Sequence, residues 1–223
     1  MTRRLLIEAI TKIFLGIILV GALIFIPAGT IMFKNGWLLI LVLFIPMIII
    51  GVVMMIKNPQ LLKNRLNTKE EQKEQKNIIK LSGLMFVTGF VVAGLTHRFN
   101  WYTLHDSVVN IACVIFLIGY SIYMEVIREN MYLSRTVKIC ENQKVIDTGL
   151  YGIVRHPMYL ATVFMFLSMP LVLGSIYSFL IFCIYPFIIA MRIKKEEEFL
   201  KKELRGYSKY LEKVKYRLIP FIW

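Results

Sequence analysis

Residues that could take part in chemistry are concentrated in a first cluster at residues 149–159 (GLYGIVRHPMY). Arg155 and His156 supply a cation and a titratable ring. Pro157 suits the first turn of a helix, where its missing N–H is not needed. The N–H groups at such a helix start can receive an anion, and Tyr159 lies on the same first turn. Anchoring at a membrane interface by arginine and tyrosine explains the same composition equally well.

A second cluster follows at residues 192–200 (RIKKEEEFL). Arg192 and Glu196 are four positions apart, which places them on one face of a helix, and Glu197 is adjacent. The alternative is a solvated helix with an ion pair that contributes only about 0.3–0.5 kcal/mol. We interpret the two clusters as parts of one site, brought together by the fold.

The elements that must position these clusters are predicted membrane helices. The chain has 223 residues, of which 57% are hydrophobic, and its mean hydropathy is +0.65. This composition predicts an all-α, polytopic integral membrane protein with about six helical segments. The apolar runs are residues 13–32, 37–56, 81–96, 108–127, 158–173 and 176–193. The last two form a predicted C-terminal helical hairpin, whose full crossing of the membrane stays open, followed by a cytoplasmic C-terminal helix.

The distribution of positive charge predicts the orientation. Of the 27 lysines and arginines, only Lys34 and Arg98 fall in the predicted external turns, so 27 − 2 = 25 lie on the other side. Positive residues concentrate on the cytoplasmic side of membrane proteins. We therefore expect both termini and both clusters to be cytoplasmic. The same pattern accounts for the net charge of +13 without a nucleic-acid partner.

The other residues with ligand chemistry are scattered. Cys113, Cys140 and Cys183 are far apart and form no C-x-x-C motif, so neither a disulfide framework nor a metal site is expected. His97 and His105 fall on the predicted external side, away from both clusters. They could be ligands or bases there, but we expect structural roles.

Two further features concern packing. Gly83, Gly89 and Gly94 in the third run are expected to let helices approach closely. The charged tail has an apolar side that could lie on the membrane surface or cap a pocket; its members are Phe199, Leu200, Leu204, Tyr207, Tyr210, Leu211 and Val214.

The clusters belong to a longer ordered pattern across residues 129–223. It reads G-L-Y-x3-R-H-P-x-Y, a short hairpin, R-x3-E-E-x2-L, and G-Y-x2-Y-x3-V-x-Y-R-L-I-P. This pattern resembles the isoprenylcysteine carboxyl methyltransferase family, and especially its prokaryotic members. The resemblance implies a membrane-embedded enzyme that uses S-adenosylmethionine without a Rossmann-type fold. The absence of a G-x-G-x-x-G motif after a strand agrees with this.

The resemblance also implies roles for individual residues. Arg192, Arg155 and Glu197 are the predicted catalytic residues. The predicted cofactor-binding residues are Gln143, Lys144, Val145, Ile146, Tyr151, His156, Pro157, Met158, Tyr159 and Glu196. Residues 129–223 would hold the cofactor, and residues 1–128 would form a membrane scaffold and the pocket for the acceptor. The acceptor would be a lipid or a lipophilic, prenylcysteine-like molecule methylated most plausibly at a carboxylate, and the partners would be that acceptor and the bilayer.

This sequence departs from the family pattern at two positions. Ala161 stands where relatives often have glycine, which affects close helix packing. Cys140 stands near a position where many prokaryotic relatives have glutamine, which removes one expected cofactor contact. The acceptor, its methylated atom and the oligomeric state are left open.

Two other functions remain as alternatives. A sterol-reductase-like membrane oxidoreductase would bind NADPH in the same cytoplasmic pocket. A non-enzymatic membrane scaffold would keep the fold without the chemistry, which the presence of Arg155, His156, Tyr159, Arg192 and Glu196 argues against.

Overall fold

The computed structural model describes residues 2–67, 73–134, 136, 139 and 143–223. Cys140 lies outside these residues. The described residues form nine α-helices and one short 3-10 helix, with a single isolated β-bridge between Thr103 and Ser175. The α-helices are α1 (Thr2–Ala28), α2 (Lys34–Lys57), α3 (Pro59–Leu66), α4 (Lys73–Arg98), α5 (Asp106–Glu129), α6 (Pro157–Val172), α7 (Ile176–Phe182), α8 (Tyr185–Glu203) and α9 (Tyr207–Lys213). The 3-10 helix is Gly149–Gly152.

The apolar helices confirm the predicted all-α, polytopic membrane architecture. In the part of the chain that the structure describes, five stretches are long and apolar enough to cross a bilayer. They are Arg3–Ala28, Lys34–Lys57, Gln75–Arg98, Asp106–Glu129 and Ile176–Glu203. Helix α6 is apolar but has only 16 residues, which gives a length of about 24 Å at 1.5 Å per residue. It is therefore shorter than the roughly 30 Å hydrocarbon core of a bilayer.

Most helices extend beyond the apolar runs that predicted them. Helix α1 begins at Thr2 rather than near residue 13, and α8 continues to Glu203, ten residues past the end of the sixth run at Ile193. Polar residues can continue a helix outside the membrane, because water satisfies their side chains there. The polar residues 57–80, which no apolar run predicted to be helical, contain α3 and the first turns of α4.

Pro186 divides the sixth predicted run into two helices. Helix α7 ends at Phe182, and α8 begins at Tyr185 with Pro186 in its first turn. Proline has no N–H and its ring collides with the carbonyl four residues earlier, which here belongs to Phe182. The sixth run is therefore built from two consecutive helices, α7 and α8, which lie within one candidate span, Ile176–Glu203. The hairpin itself is present, with its turn at Gly174 and Ser175.

The glycines of α4 have different surroundings. A Cβ on Gly89 would collide with the Phe182 ring, and one on Gly94 would lie 2.5 Å from the Ile24 carbonyl oxygen, so both permit close helix packing. Gly83 faces open space instead, contrary to the expectation. Ala161 is fully buried, and Gly119 of α5 makes room for α6 beside it, since its added Cβ would lie 3.0 Å from the Ala161 carbonyl oxygen.

Candidate active site

The first predicted cluster is held in place by the end of the chain. The N–H groups of Arg155 and His156 donate to the carbonyl oxygens of Tyr216 and Arg217, each at 2.9 Å. Pro157 begins α6 and has no N–H to offer. The C-terminal segment therefore uses two of the backbone donors that were expected to receive an anion at this helix start.

Glu197 lies at the centre of a buried ion cluster. Its side chain accepts from Arg155 Nε at 2.7 Å and from Arg217 Nε at 3.0 Å, and His156 Nε2 lies 3.4 Å away. Arg155 also donates to the carbonyl oxygens of Val214 and Lys215. Glu197 is only 3% exposed. Such a cluster ties α8, the start of α6 and the C-terminal segment together, because removing one partner leaves a buried charge uncompensated.

Tyr159 connects the two predicted clusters directly. Its hydroxyl donates a hydrogen bond to Glu196 Oε2 and accepts one from Arg192 Nε at 2.8 Å. The Arg192 guanidinium also lies over the Tyr159 ring, 5.8 Å from its centroid. The first turn of α6 thus holds both the carboxylate and the guanidinium of α8 in fixed positions.

A first cavity of about 110 Å³ opens beside these residues. It is bounded by the described residues between Asn130 and Tyr159, by α8 and by α9. Nine of the ten predicted cofactor residues line it: Gln143, Lys144, Val145, Ile146, Tyr151, His156, Met158, Tyr159 and Glu196. Pro157, the tenth, is fully buried and does not line it. Of the predicted catalytic residues, Arg155 and Arg192 line the cavity, while Glu197 lies behind its wall.

Of the two alternatives for the apolar side of the tail, the structure favours the one in which it caps a pocket. Tyr207, Tyr210, Leu200 and Leu204 line the cavity, so the apolar side of the tail caps a pocket. The Tyr210 hydroxyl donates to the Tyr151 carbonyl oxygen at 2.7 Å. Burial raises the pKa of Tyr207 and Tyr210. Both phenols therefore stay neutral and can serve as hydrogen-bond donors near neutral pH.

Asn130, Tyr132, Leu133, Ser134 and Thr136 also line the first cavity, and none was singled out from the sequence. Asn130 follows α5 directly, and its Nδ2 donates to the Tyr151 hydroxyl at 2.9 Å. Nothing in the local sequence distinguishes these residues from an ordinary polar loop. Their position depends on the path of the chain after α5.

A second cavity of about 350 Å³ lies between α4, α6 and α8. Apolar and aromatic side chains, including Phe86, Phe166 and Ile189, form much of its wall. The Tyr185 hydroxyl in this wall donates to Thr162 Oγ1 at 2.9 Å. The helices around the second cavity belong to the apolar part of the molecule, whereas the first cavity is bounded by charged segments.

The two cavities share part of their walls. Met158, Tyr159, Arg192 and Thr136 line both. Two molecules that occupied the two cavities would therefore meet at the first turn of α6, next to the Arg192–Tyr159–Glu196 chain of hydrogen bonds. This arrangement suits a group transfer between a polar molecule and an apolar one.

Gly149 is required for the loop that lines the first cavity. Its φ is +53°, and the Glu129 carboxylate occupies the space where a Cβ would lie. The same carboxylate accepts from the Leu150 N–H at 3.0–3.1 Å. Left-handed backbone alone costs a residue with a Cβ about 1–2 kcal/mol. We expect Gly149→Ala to lower the melting temperature of the purified protein, measured by differential scanning fluorimetry.

Gly206→Ala provides the matched control for that substitution. Gly206 also has a positive φ, +89°, but an added Cβ meets no heavy atom within 4 Å. We expect a smaller loss of melting temperature there, since only the backbone conformation is strained. Equal losses at both glycines would contradict the role assigned to the Glu129 carboxylate.

Comparisons with known proteins agree with this arrangement. Residues 107–206 match a family model described as phospholipid methyltransferase, which covers α5 to the end of α8 and both predicted clusters. The chain is also similar to the Delta(14)-sterol reductase of Mus musculus, at 28% identity over 91 residues, or 40% of this chain. The aligned part spans only 22% of the length of that reductase. The resemblance seen in the sequence is thus confirmed over residues 107–206, where the chain is similar to the phospholipid methyltransferase family.

Proposed function

We propose that the protein is an integral membrane S-adenosylmethionine-dependent methyltransferase that acts on a lipophilic acceptor, at a carboxylate. The observation that carries this proposal is the shared wall of the two cavities, at Met158, Tyr159 and Arg192. A polar methyl donor would occupy the first cavity, and the acceptor would occupy the second. The family match over residues 107–206 supports the reaction type.

The residues of the first cavity suit S-adenosylmethionine chemically. The Glu196 carboxylate can accept hydrogen bonds from the amino group or the ribose hydroxyls of the donor. Leu200, Leu204 and Tyr207 offer an apolar and aromatic wall for an adenine ring. The side chains of Lys144 and His156 line the first cavity and can bind the carboxylate of S-adenosylmethionine. They take the place of the backbone N–H groups of Arg155 and His156, which already donate to the C-terminal segment.

Arg192 and Tyr159 are placed to align the acceptor. When bound, S-adenosylmethionine supplies a methyl group on a sulfonium: the acceptor oxygen forms a C–O bond as the C–S bond breaks, and the electron pair stays on sulfur. A carboxylate acceptor needs no general base, because no proton has to leave. The chain must therefore hold the two molecules in line and keep water out, which are positioning effects. We assign Arg192 to the acceptor, and Arg155 and Glu197 to positioning of the α6 start.

The second cavity suits entry from the bilayer. Ile79 and Gly83 line it and are exposed on the surface of α4, within the candidate span Gln75–Arg98. A lipophilic acceptor would enter sideways between helices, while the cofactor would arrive from the cytoplasm. We propose that residues 129–223 bind the cofactor and that residues 1–128 contribute part of the acceptor pocket, with both termini cytoplasmic.

The function is tested by giving methyl-labelled S-adenosylmethionine to membranes that contain the protein and identifying the labelled product. We expect a lipid-soluble methyl ester, which alkali hydrolyses to labelled methanol. Membranes that contain the Glu196→Gln variant serve as the control and should give little of it. Absence of any product that depends on the protein would contradict the proposal.

An NADPH-dependent reductase is the second candidate, favoured by the similarity to the mouse Delta(14)-sterol reductase. The two functions are separated by equilibrium binding of S-adenosylmethionine and NADPH to the purified protein. Saturable binding of NADPH without binding of S-adenosylmethionine would exclude the methyltransferase. Binding of neither would favour a non-enzymatic scaffold.

Gly83→Trp should block the entrance to the second cavity. An added Cβ at Gly83 meets no heavy atom within 4 Å, so the indole can be accommodated without disturbing α4. We expect transfer to the lipid acceptor to fall about 10-fold or more, because a side chain now fills the entry path, while S-adenosylmethionine binding is unchanged. The measurement is the initial rate of labelled methyl transfer.

Gly51→Trp is the control for this substitution. Gly51 lies in α2, and its added Cβ likewise meets nothing within 4 Å, but it does not line the second cavity. It should leave the transfer rate within about twofold, because the substitution lies away from both cavities. If Gly83→Trp transfers methyl as fast as Gly51→Trp, entry beside α4 is wrong.

A further inference from the structure

Arg65 brings a second guanidinium to the second cavity. It lies on α3, outside residues 107–206, and lines the cavity together with Arg192. Buried Leu61 and Leu62 hold α3 against the core, and the Asn58 side chain caps the start of the helix by accepting from the Leu61 N–H at 3.1 Å. The position of Arg65 is therefore fixed by the packing of α3.

Among the residues that the structure describes, the hydrogen-bond partners of Arg65 are all neutral. Its NH1 donates to the Ser134 carbonyl oxygen at 3.2 Å and to Met158 Sδ at 3.5 Å. Its NH2 donates to the Tyr123 hydroxyl at 2.6 Å, and the guanidinium lies 5.3 Å from the Tyr123 ring centroid. None of the salt bridges within the described residues includes Arg65. These three bonds leave two of its five N–H groups for another acceptor.

A half-buried guanidinium with neutral partners favours an anion in the adjoining cavity. Removing a charge from water is costly unless an opposite charge compensates it. The other cation of the cavity, Arg192, contacts Tyr159, and Arg65 contacts Met158, so the two arginines touch neighbouring residues of α6. This is the place where the two cavities share a wall. Two cations there repel an ammonium group and attract a carboxylate or a phosphate.

We propose that Arg65 selects acceptors with an anionic headgroup, a carboxylate or a phosphate, which it holds jointly with Arg192. The identification of this anion as part of the methyl acceptor rests on the proposed function. Arg65 is then a specificity-determining residue contributed by the N-terminal half. Its planar, five-donor guanidinium matches an oxyanion better than a lysine would.

The test is equilibrium binding of three labelled amphiphiles with the same alkyl chain: dodecanoate, dodecyl phosphate and dodecylammonium. Wild-type protein, Arg65→Gln and Lys63→Gln are each reconstituted in nanodiscs of neutral lipid, with empty nanodiscs as background. Lys63 is exposed on the same helix, so its substitution removes the same charge away from the cavity. Arg65→Lys keeps the charge but loses the planar group.

We expect wild type and Lys63→Gln to prefer one or both anions over dodecylammonium. Arg65→Gln should bind the preferred anion about 10-fold more weakly, as for loss of a charged hydrogen bond, and Arg65→Lys should be intermediate. Preference for dodecanoate or for dodecyl phosphate identifies the headgroup. Equal anion binding by Arg65→Gln and wild type would overturn the proposal, as would a wild-type preference for dodecylammonium.

S-adenosylmethionine binding to the same samples separates this proposal from the proposed function. Retained cofactor binding by Arg65→Gln shows that the variant is folded, so a loss of anion binding is then specific. If wild type binds anions through Arg65 but binds no S-adenosylmethionine, the site for the anion stands and the methyltransferase proposal fails.

Discussion

Arg192→Ala is expected to lower the rate of methyl transfer about 100-fold or more, while the dissociation constant for S-adenosylmethionine changes only a few-fold. Arg192 is held by the Tyr159 hydroxyl at the wall that both cavities share, so its loss removes an oriented positive group next to the acceptor. Removing one such oriented donor from an active site costs about 10²–10³ in rate. Single-turnover transfer and equilibrium binding of the cofactor measure the two effects separately.

Arg192→Lys distinguishes charge from geometry in this prediction. Lysine keeps the charge but cannot reproduce the planar contact. We expect it to recover only part of the lost rate. A variant Arg192→Ala that transfers methyl normally, or one whose defect lies entirely in cofactor binding, would contradict the assignment of Arg192 to the acceptor.

Glu196→Gln is expected to weaken S-adenosylmethionine binding by about 10-fold to 100-fold. The substitution keeps the shape of the side chain and an acceptor for the Tyr159 hydroxyl, but it removes the carboxylate charge from the first cavity. A hydrogen bond to a charged group contributes about 1.5–3 kcal/mol, which corresponds to this range. Isothermal titration calorimetry of the purified variant measures the dissociation constant.

Glu198→Gln is the control for this change. Glu198 belongs to the same acidic run, but it is exposed, pairs with Lys195 at 3.4 Å and does not line the first cavity. Its substitution should leave cofactor binding unchanged. Equal weakening by both variants would mean that the net charge of α8 matters rather than the position of Glu196.

The part of the site that comes from residues 129–223 was largely predictable, because its residues follow an ordered motif. Residues such as Tyr151, His156 and Glu196 lie at fixed positions in that pattern, and the structure brings them to one cavity. Spacing alone did not separate Glu196 from Glu197. The two carboxylates are adjacent in sequence, yet one faces the cavity and the other is buried among Arg155, His156 and Arg217. Only the packing of the C-terminal segment makes that distinction.

Other features depend on contacts between distant parts of the chain. Arg65 lies within the polar residues 57–80, where nothing in the sequence pointed to a site, and α3 places it at the second cavity. Gly83 looked like the other glycines of its run, but it faces open space while Gly89 meets Phe182. The sequence shows that α4 contains glycines, but whether each one permits close helix packing depends on the neighbouring helices.

The similarity to a sterol reductase and the match to a methyltransferase family favour different donors. A methyl donor and a nicotinamide donor both need a polar cavity beside an apolar one. We therefore expect the residues of the first cavity to determine which of the two donors binds, whereas the helices around the second cavity are compatible with either function. For this reason the binding of the two cofactors, rather than the fold, separates the two functions.

The pairing of residues 216 and 217 with the start of α6 has a consequence for biogenesis. All five candidate spans of the described residues precede these residues, so the helices can be inserted into the bilayer before the C-terminal segment docks on the start of α6. Until then Arg155 and His156 lack the Tyr216 and Arg217 carbonyls, and Glu197 lacks Arg217. Insertion and completion of the binding site are thus separate stages. A ligand that binds only the completed site stabilises the protein with the C-terminal segment docked. Binding of such a ligand by newly made protein therefore shows that the segment has docked.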